Sequence, residues 1–99
     1  MSKIVREERT ENFTVMSNHH LKDKRLSLKA KGLLSIILSL PDEWNYNMKG
    51  LATLSRDGID STRSAMSELE SYGYVVRLRK RNEAGVFGEA DYTVYEKPM

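Results

Sequence analysis

At 99 residues the chain allows one small domain with a single modest core. Its 39% apolar and 30% charged residues exclude a disordered chain, and a formal charge of +2 is too slight to argue a nucleic-acid partner by itself. The absence of cysteine excludes disulfides and thiolate metal sites; no signal peptide is expected from the polar, charged residues 1–9, and no bilayer span, because the apolar stretch 33–40 is short and broken by Ser35 and Ser39. The expectation is a cytoplasmic protein with no membrane partner.

Residues 1–11 surround a lone Ile4-Val5 with charge and are expected to form a flexible terminus ahead of one domain over residues 12–97. Phe13-Thr14-Val15-Met16 has the composition of a short N-terminal strand. Ser27 offers its hydroxyl to an unsatisfied amide and predicts a helix start. Ala30, Leu33, Leu34, Ile37 and Leu40 then recur at the steps of one helix face; Leu28 and Ile36 are expected to widen that stripe, and Pro41 to stop it. Trp44 and Tyr46, in the following turn, are expected to pack over the core as a lid. Asn47 can cap a second helix over residues 48–55, with Leu51, Ala52 and Leu54 as its apolar side.

Arg56-Asp57-Gly58 predicts a tight turn, followed by a third helix over 59–72 that buries Thr62, Ala65, Met66 and Leu69. Gly73 stands where a left-handed C-terminal cap is wanted. Residues 75–81 alternate as a half-buried strand does, with Val76 and Leu78 expected inward and Arg77, Arg79 and Arg81 outward. Residues 82–88 carry loop chemistry, with Phe87 expected beneath the hairpin, and 92–95 predict a returning strand. The expected fold is α+β, a winged helix-turn-helix: a three-helix core with a C-terminal β-hairpin wing.

In such a motif the first helix braces against the DNA backbone and the second lies in the major groove. Ala52 supplies the small residue at the helix crossing, and Ala65 with Leu69 the apolar lock. The second helix would present Asp60, Ser61, Arg63, Ser64, Ser67 and Glu68. Arg63 can contact guanine in bidentate fashion, and the three serines can bond phosphates or base edges. Arg56 in the turn would take a phosphate. Asp60, Glu68 and Glu70 against Arg63 nevertheless give this helix a formal charge of about −2, which repels phosphate, so a merely solvated face is the competing reading. Arg77, Arg79 and Arg81, with Lys80 between them, are spaced to meet consecutive phosphates, although exposed strand faces are often charged. Lys22, Lys24, Arg25, Lys29 and Lys31 form a second basic cluster, read as a charged loop ahead of a DNA contact.

Adjacent His19 and His20 cannot converge on one side of a regular element, and no metal is expected there. There is no Gly-rich phosphate loop, nucleophile elbow or His–Glu pairing at metal spacing. The expectation is no catalysis, no cofactor and no small-molecule substrate.

Phe13-Thr14 through Asn18, Leu26 through Leu34 (with Ala30-Lys31-Gly32-Leu33-Leu34), and Leu38-Ser39-Leu40-Pro41-Asp42-Glu43-Trp44 closely resemble the N-terminal winged-helix domain of replication proteins from Gram-positive bacteria, their phages and plasmids. That group is similar to the N-terminal domain of the DnaD-type primosome protein. Residues 51–75 are also similar to the GntR and MarR regulators, with a departure at the turn, where Arg56 replaces a small residue and Gly58 follows two positions later. The resemblance implies double-stranded DNA binding in replication initiation, with self-association and other replication proteins as partners. Two alternatives stay open: a transcriptional regulator of the same fold, or an interaction module with little DNA affinity, for which the acidic helix and the aromatics Trp44, Tyr46, Tyr72 and Tyr74 speak.

Overall fold

Ser27 starts the first helix as expected: its hydroxyl accepts the Ala30 amide at 3.2 Å, and α1 runs over Leu28–Ser39. In the computed structural model the described residues are 3, 11–41, 47–81 and 87–98, of which 78–81 and 87–91 are described by their backbone. A single 3-10 turn, His20–Lys22, precedes α1; α2 (Met48–Ala52), α3 (Ile59–Ser71), β1 (Val75–Arg81) and β2 (Phe87–Val94) follow. These elements make an α+β winged helix-turn-helix.

The core is the meeting of three stripes. Ala30, Leu33, Leu34 and Ile37 of α1 face Ala65, Met66 and Leu69 of α3, with Leu51 of α2, Leu26, Tyr74 and Val75 closing the cluster. Leu28 does not join it and is 89% exposed. At about 100° per residue it lies nearly opposite the mean direction of the four buried α1 side chains, so its presence in an apolar run does not place it on the apolar face.

The second helix is shorter than residues 48–55. Asn47 caps it through the Gly50 amide at 2.7 Å. Thr53 then ties it off: its amide reaches the carbonyls of Lys49 and Gly50 at 3.3 and 3.2 Å, and its hydroxyl reaches Gly50 at 2.6 Å. Hydroxyls that bond nearby carbonyls favour such ends over continued helix. Leu54 is consequently outside the helix and 42% exposed.

Gly58 enters α3 with φ of +87°, and nothing lies within 4 Å of where a Cβ would stand. Backbone conformation, not space, calls for glycine there. At the other end, Gly73 has φ of +82°. The Tyr74 amide bonds the Leu69 carbonyl at 3.0 Å and the Gly73 amide bonds Glu70 at 3.2 Å, which is the paired Schellman closure. Tyr74 and Leu69 are both fully buried, the apolar contact that accompanies it.

β1 and β2 pair antiparallel from Val75↔Val94 to Arg79↔Ala90, and the register slips before Arg81↔Phe87. The return strand thus begins at Phe87, earlier than residue 92, because its pairing with β1 continues past the slip. The Tyr95 amide extends the ladder to the Tyr74 carbonyl at 2.8 Å. Phe13-Thr14-Val15-Met16 is not a strand: the sheet among the described residues has two strands, and Val15 is 78% exposed. Strand-forming side chains without a sheet edge to join remain coil. The lid expected of Trp44 and Tyr46, the loop tip and the Phe87 side chain lie outside what is described.

Candidate nucleic-acid interface

The buried stripe of α3 fixes which side faces out. Thr62, Ala65, Met66 and Leu69 point to the core, so Asp60, Arg63, Ser64 and Ser67 are exposed on the opposite side. Ser61 does not share that outward face. It is half-buried on the flank that meets α1, lining a groove with Leu28, Gly32 and Ile36. Arg56, in the turn, is exposed.

Two acids that make α3 net negative are engaged by neighbours. The Glu68 carboxylate accepts both the amide and the hydroxyl of Ser27 at 2.8 Å, sealing the N-terminus of α1 instead of standing free on the outward face. Glu70 lies 3.7 Å from the guanidinium of Arg77. Asp60 stays outward, in the first turn of α3, where the helix dipole favours an acid. On the α1 flank, the Lys29 ammonium donates to the Ser64 hydroxyl at 2.9 Å. A lysine from the cluster read as a charged loop is thereby carried to the edge of the outward face.

The wing presents Arg77 on the side opposite to the expected one. Val75 is 1% exposed and Val76 only half-buried, so the inward face is that of Val75. Its cross-strand partner Val94, and Tyr92 opposite Arg77, both pack on the core cluster. Strand alternation puts Arg77 on this same helix-facing side, and position 79 after it. Val76 takes the other side. One residue of offset in the alternation reverses the whole strand, and two consecutive valines left that choice open to pattern alone. The consequence is that Arg77 leans toward α3, with its side chain 41% exposed. Arg79, Lys80 and Arg81 follow on β1; their side chains are not described.

Beyond the C-terminal end of α3 a polar cluster was missed by sequence reasoning. Asp23 accepts Arg25 Nε and Nη2 at 3.0 and 2.8 Å, the Arg25 amide at 3.0 Å, and the Tyr74 hydroxyl at 2.7 Å. The Arg25 guanidinium also lies 4.7 Å over the Tyr72 ring. Hydrogen bonds from Arg25 and then Tyr74 hold the Asp23 carboxyl well below the usual carboxylate range. Burial, then the bond to Asp23, pushes the Tyr74 phenol up to about 12. No periodicity could reveal a pair 51 residues apart.

The two histidines diverge. His19 meets the Tyr74 ring at 6.0 Å between centroids, whereas His20 is sealed in the core with Nε2 2.9 Å from Ser35 Oγ. Ser35 spends its proton on the Lys31 carbonyl at 2.8 Å, so His20 must donate from Nε2, leaving Nδ1 bare and without a partner. Burial lowers the pKa of this imidazole. Among the described residues no three His, Asp or Glu side chains gather as metal ligands, and no helix is long and apolar enough to cross a membrane.

An outward helix face bordered by cations, placed behind a tight turn and beside a hairpin, defines a helix-turn-helix protein of the winged class. The helix-turn-helix domain family matches residues 24–75, from the loop before α1 to the first residue of β1, and the chain belongs to it. That membership supports DNA as the partner. The match leaves the hairpin outside it. Neither curated proteins nor solved structures gave a match.

Proposed function

We propose that the chain binds double-stranded DNA with α3 in the major groove and serves a replication-initiation or primosome protein of the phage or plasmid type. Arg63 reads a base edge, Ser64 and Ser67 bond phosphates or bases, and Arg56 and the arginines of β1 hold the backbone on either side. Ser61, on the α1 flank, reaches only a phosphate at the edge of the contact. Lys80 adds its charge to the strand. The observation that carries this reading is the cationic border of α3: Lys29 bonded to Ser64 at 2.9 Å on one flank, Arg77 beside Glu70 on the other. The role needs no catalysis and no cofactor, and belongs in the cytoplasm. The replication assignment is supported by the resemblance of the Ala30–Leu34 and Leu38–Trp44 segments, which favours it over a transcriptional regulator.

Affinity for a labelled duplex, followed across a salt series, tests the DNA contact. Log affinity should fall with log salt by about 0.9 per phosphate contact. Replacing Arg77 and Arg79 by alanine should weaken all sequences alike, while Arg63→Ala should also relax sequence preference. Parent-like binding by both variants would refute the reading. Genome-wide footprints clustered at an origin support replication; footprints at promoters favour the regulator.

Self-association has an observation of its own. Leu28 is 89% exposed beside a groove of about 430 Å³. Sedimentation of the parent and of Leu28→Glu decides it: a dimer lost in the variant supports this contact, and a monomeric parent removes it.

A further inference from the structure

A second cationic feature lies away from the outward face of α3. Between the segment before α1 and the tail after β2 lies an open, shallow cleft of about 530 Å³, bordered by Ser17, Asn18, His19, Lys22, Asp23, Arg25 and Lys97. Lys97 reaches it because the Tyr95 amide is pinned to the Tyr74 carbonyl at 2.8 Å, which brings the tail back beside the loop. Three of the seven lining residues are cations, Lys22 and Arg25 from one loop and Lys97 from the tail.

The single acid of the cleft is already committed. Asp23 has its side chain 8% exposed and accepts three Arg25 donors and the Tyr74 hydroxyl. Glu96, the neighbouring acid, acts on His20 and does not border the cleft. Arg25 is held on two sides, by this carboxylate and by the Tyr72 ring, yet is 55% exposed. A guanidinium fixed in this way loses little freedom when a further acceptor arrives. Lys22 and Lys97 are exposed beside it and add point charges without fixed geometry.

We infer that this cleft is a phosphate site, with Arg25 as its oriented donor and Lys22 and Lys97 as its charge. Two sources supply that chemistry: a backbone phosphate of a duplex lying on α3, or a free phosphate or mononucleotide. The first rests on the proposed DNA reading; the second does not.

The test uses the full chain, the parent and a Lys22→Ala/Lys97→Ala variant. Both lysines are outside the core, so an unchanged melting temperature is the control for folding. In one arm, inorganic phosphate and a deoxymononucleotide are titrated while backbone amide resonances are followed. In the other, duplex affinity is measured across salt. A backbone phosphate predicts a salt slope shallower in the variant by about 0.9 for each lost contact. A free ligand predicts saturable shifts at residues 18–25 and 97 of the parent, lost in the variant, with the duplex slope unchanged. If the slopes coincide and the parent shows no saturable shifts, or shows shifts that persist in the variant, the site does not exist. Arg63→Ala, run alongside, separates the outcomes: its failure to weaken duplex binding sinks the DNA reading while the mononucleotide arm still judges the cleft.

Discussion

The two ends of α3 are built for different work. Its C-terminal end is fastened by the Schellman closure at Gly73, by Leu69 against Tyr74, and by the Tyr74–Asp23–Arg25 chain of hydrogen bonds. Its outward N-terminal half shows Asp60, Arg63 and Ser64 to solvent, with Lys29 of α1 tied to Ser64. Rigid support at one end frees the other to be chemically plain, which is how a scaffold presents a reading surface. Substitutions at the first end should therefore cost stability, and those at the second should cost binding.

The largest effect is expected at the fastened end. Tyr74→Ala opens a cavity and deprives Asp23 of a donor, and should destabilise by about 3–5 kcal/mol, read as a lower melting temperature. Arg63→Ala should leave melting unchanged and weaken binding of a preferred duplex by about 1–3 kcal/mol. If the two variants exchange these signatures, the division of α3 is wrong. Gly58→Ala should cost about 1–3 kcal/mol of stability, since the methyl finds room but φ of +87° with ψ of 169° is a backbone region left almost wholly to glycine. Ser27→Ala removes the α1 cap and a donor to Glu68, and should cost about 1 kcal/mol; urea denaturation of both variants checks these values.

Acid should loosen both the packing of the 3-10 turn on α1, through His20, and the fastened end, through Asp23. His20 has a folded pKa below its unfolded value, so its contribution is complete above roughly pH 6.5 and declines as pH falls through that range. Asp23 is likewise depressed; its contribution is present above roughly pH 4 and is lost as pH drops toward the folded value. Melting temperature should therefore fall in two stages on acidification, and Asp23→Asn should abolish the lower one. A flat profile from pH 7 to 5 would contradict the buried, neutral His20.

What could be read from the chain follows the range of each interaction. Ser27, Asn47 and Gly73 act on neighbours within a turn, so the caps of α1 and α2 and the end of α3 were legible. The 3.6-residue period likewise picked out Thr62, Ala65, Met66 and Leu69. Leu28 failed because apolar character was counted without its angle on the helix. The wing's sidedness failed because Val75 and Val76 fit either face, and only contact with α3 decides between them. Glu68 looked like a repulsive charge on a reading face; its partner Ser27 lies 41 residues away, beyond any local pattern. Lys29 was similarly underrated, its bond to Ser64 spanning 35 residues.

Amide chemical-shift mapping with an added duplex tests the central claim most directly. The account predicts perturbations concentrated at residues 56–67, at Lys29 and along 77–81, with Leu69 and Tyr74 undisturbed. Perturbations confined to Leu28, Gly32 and Ile36, or none at saturating duplex, would contradict it.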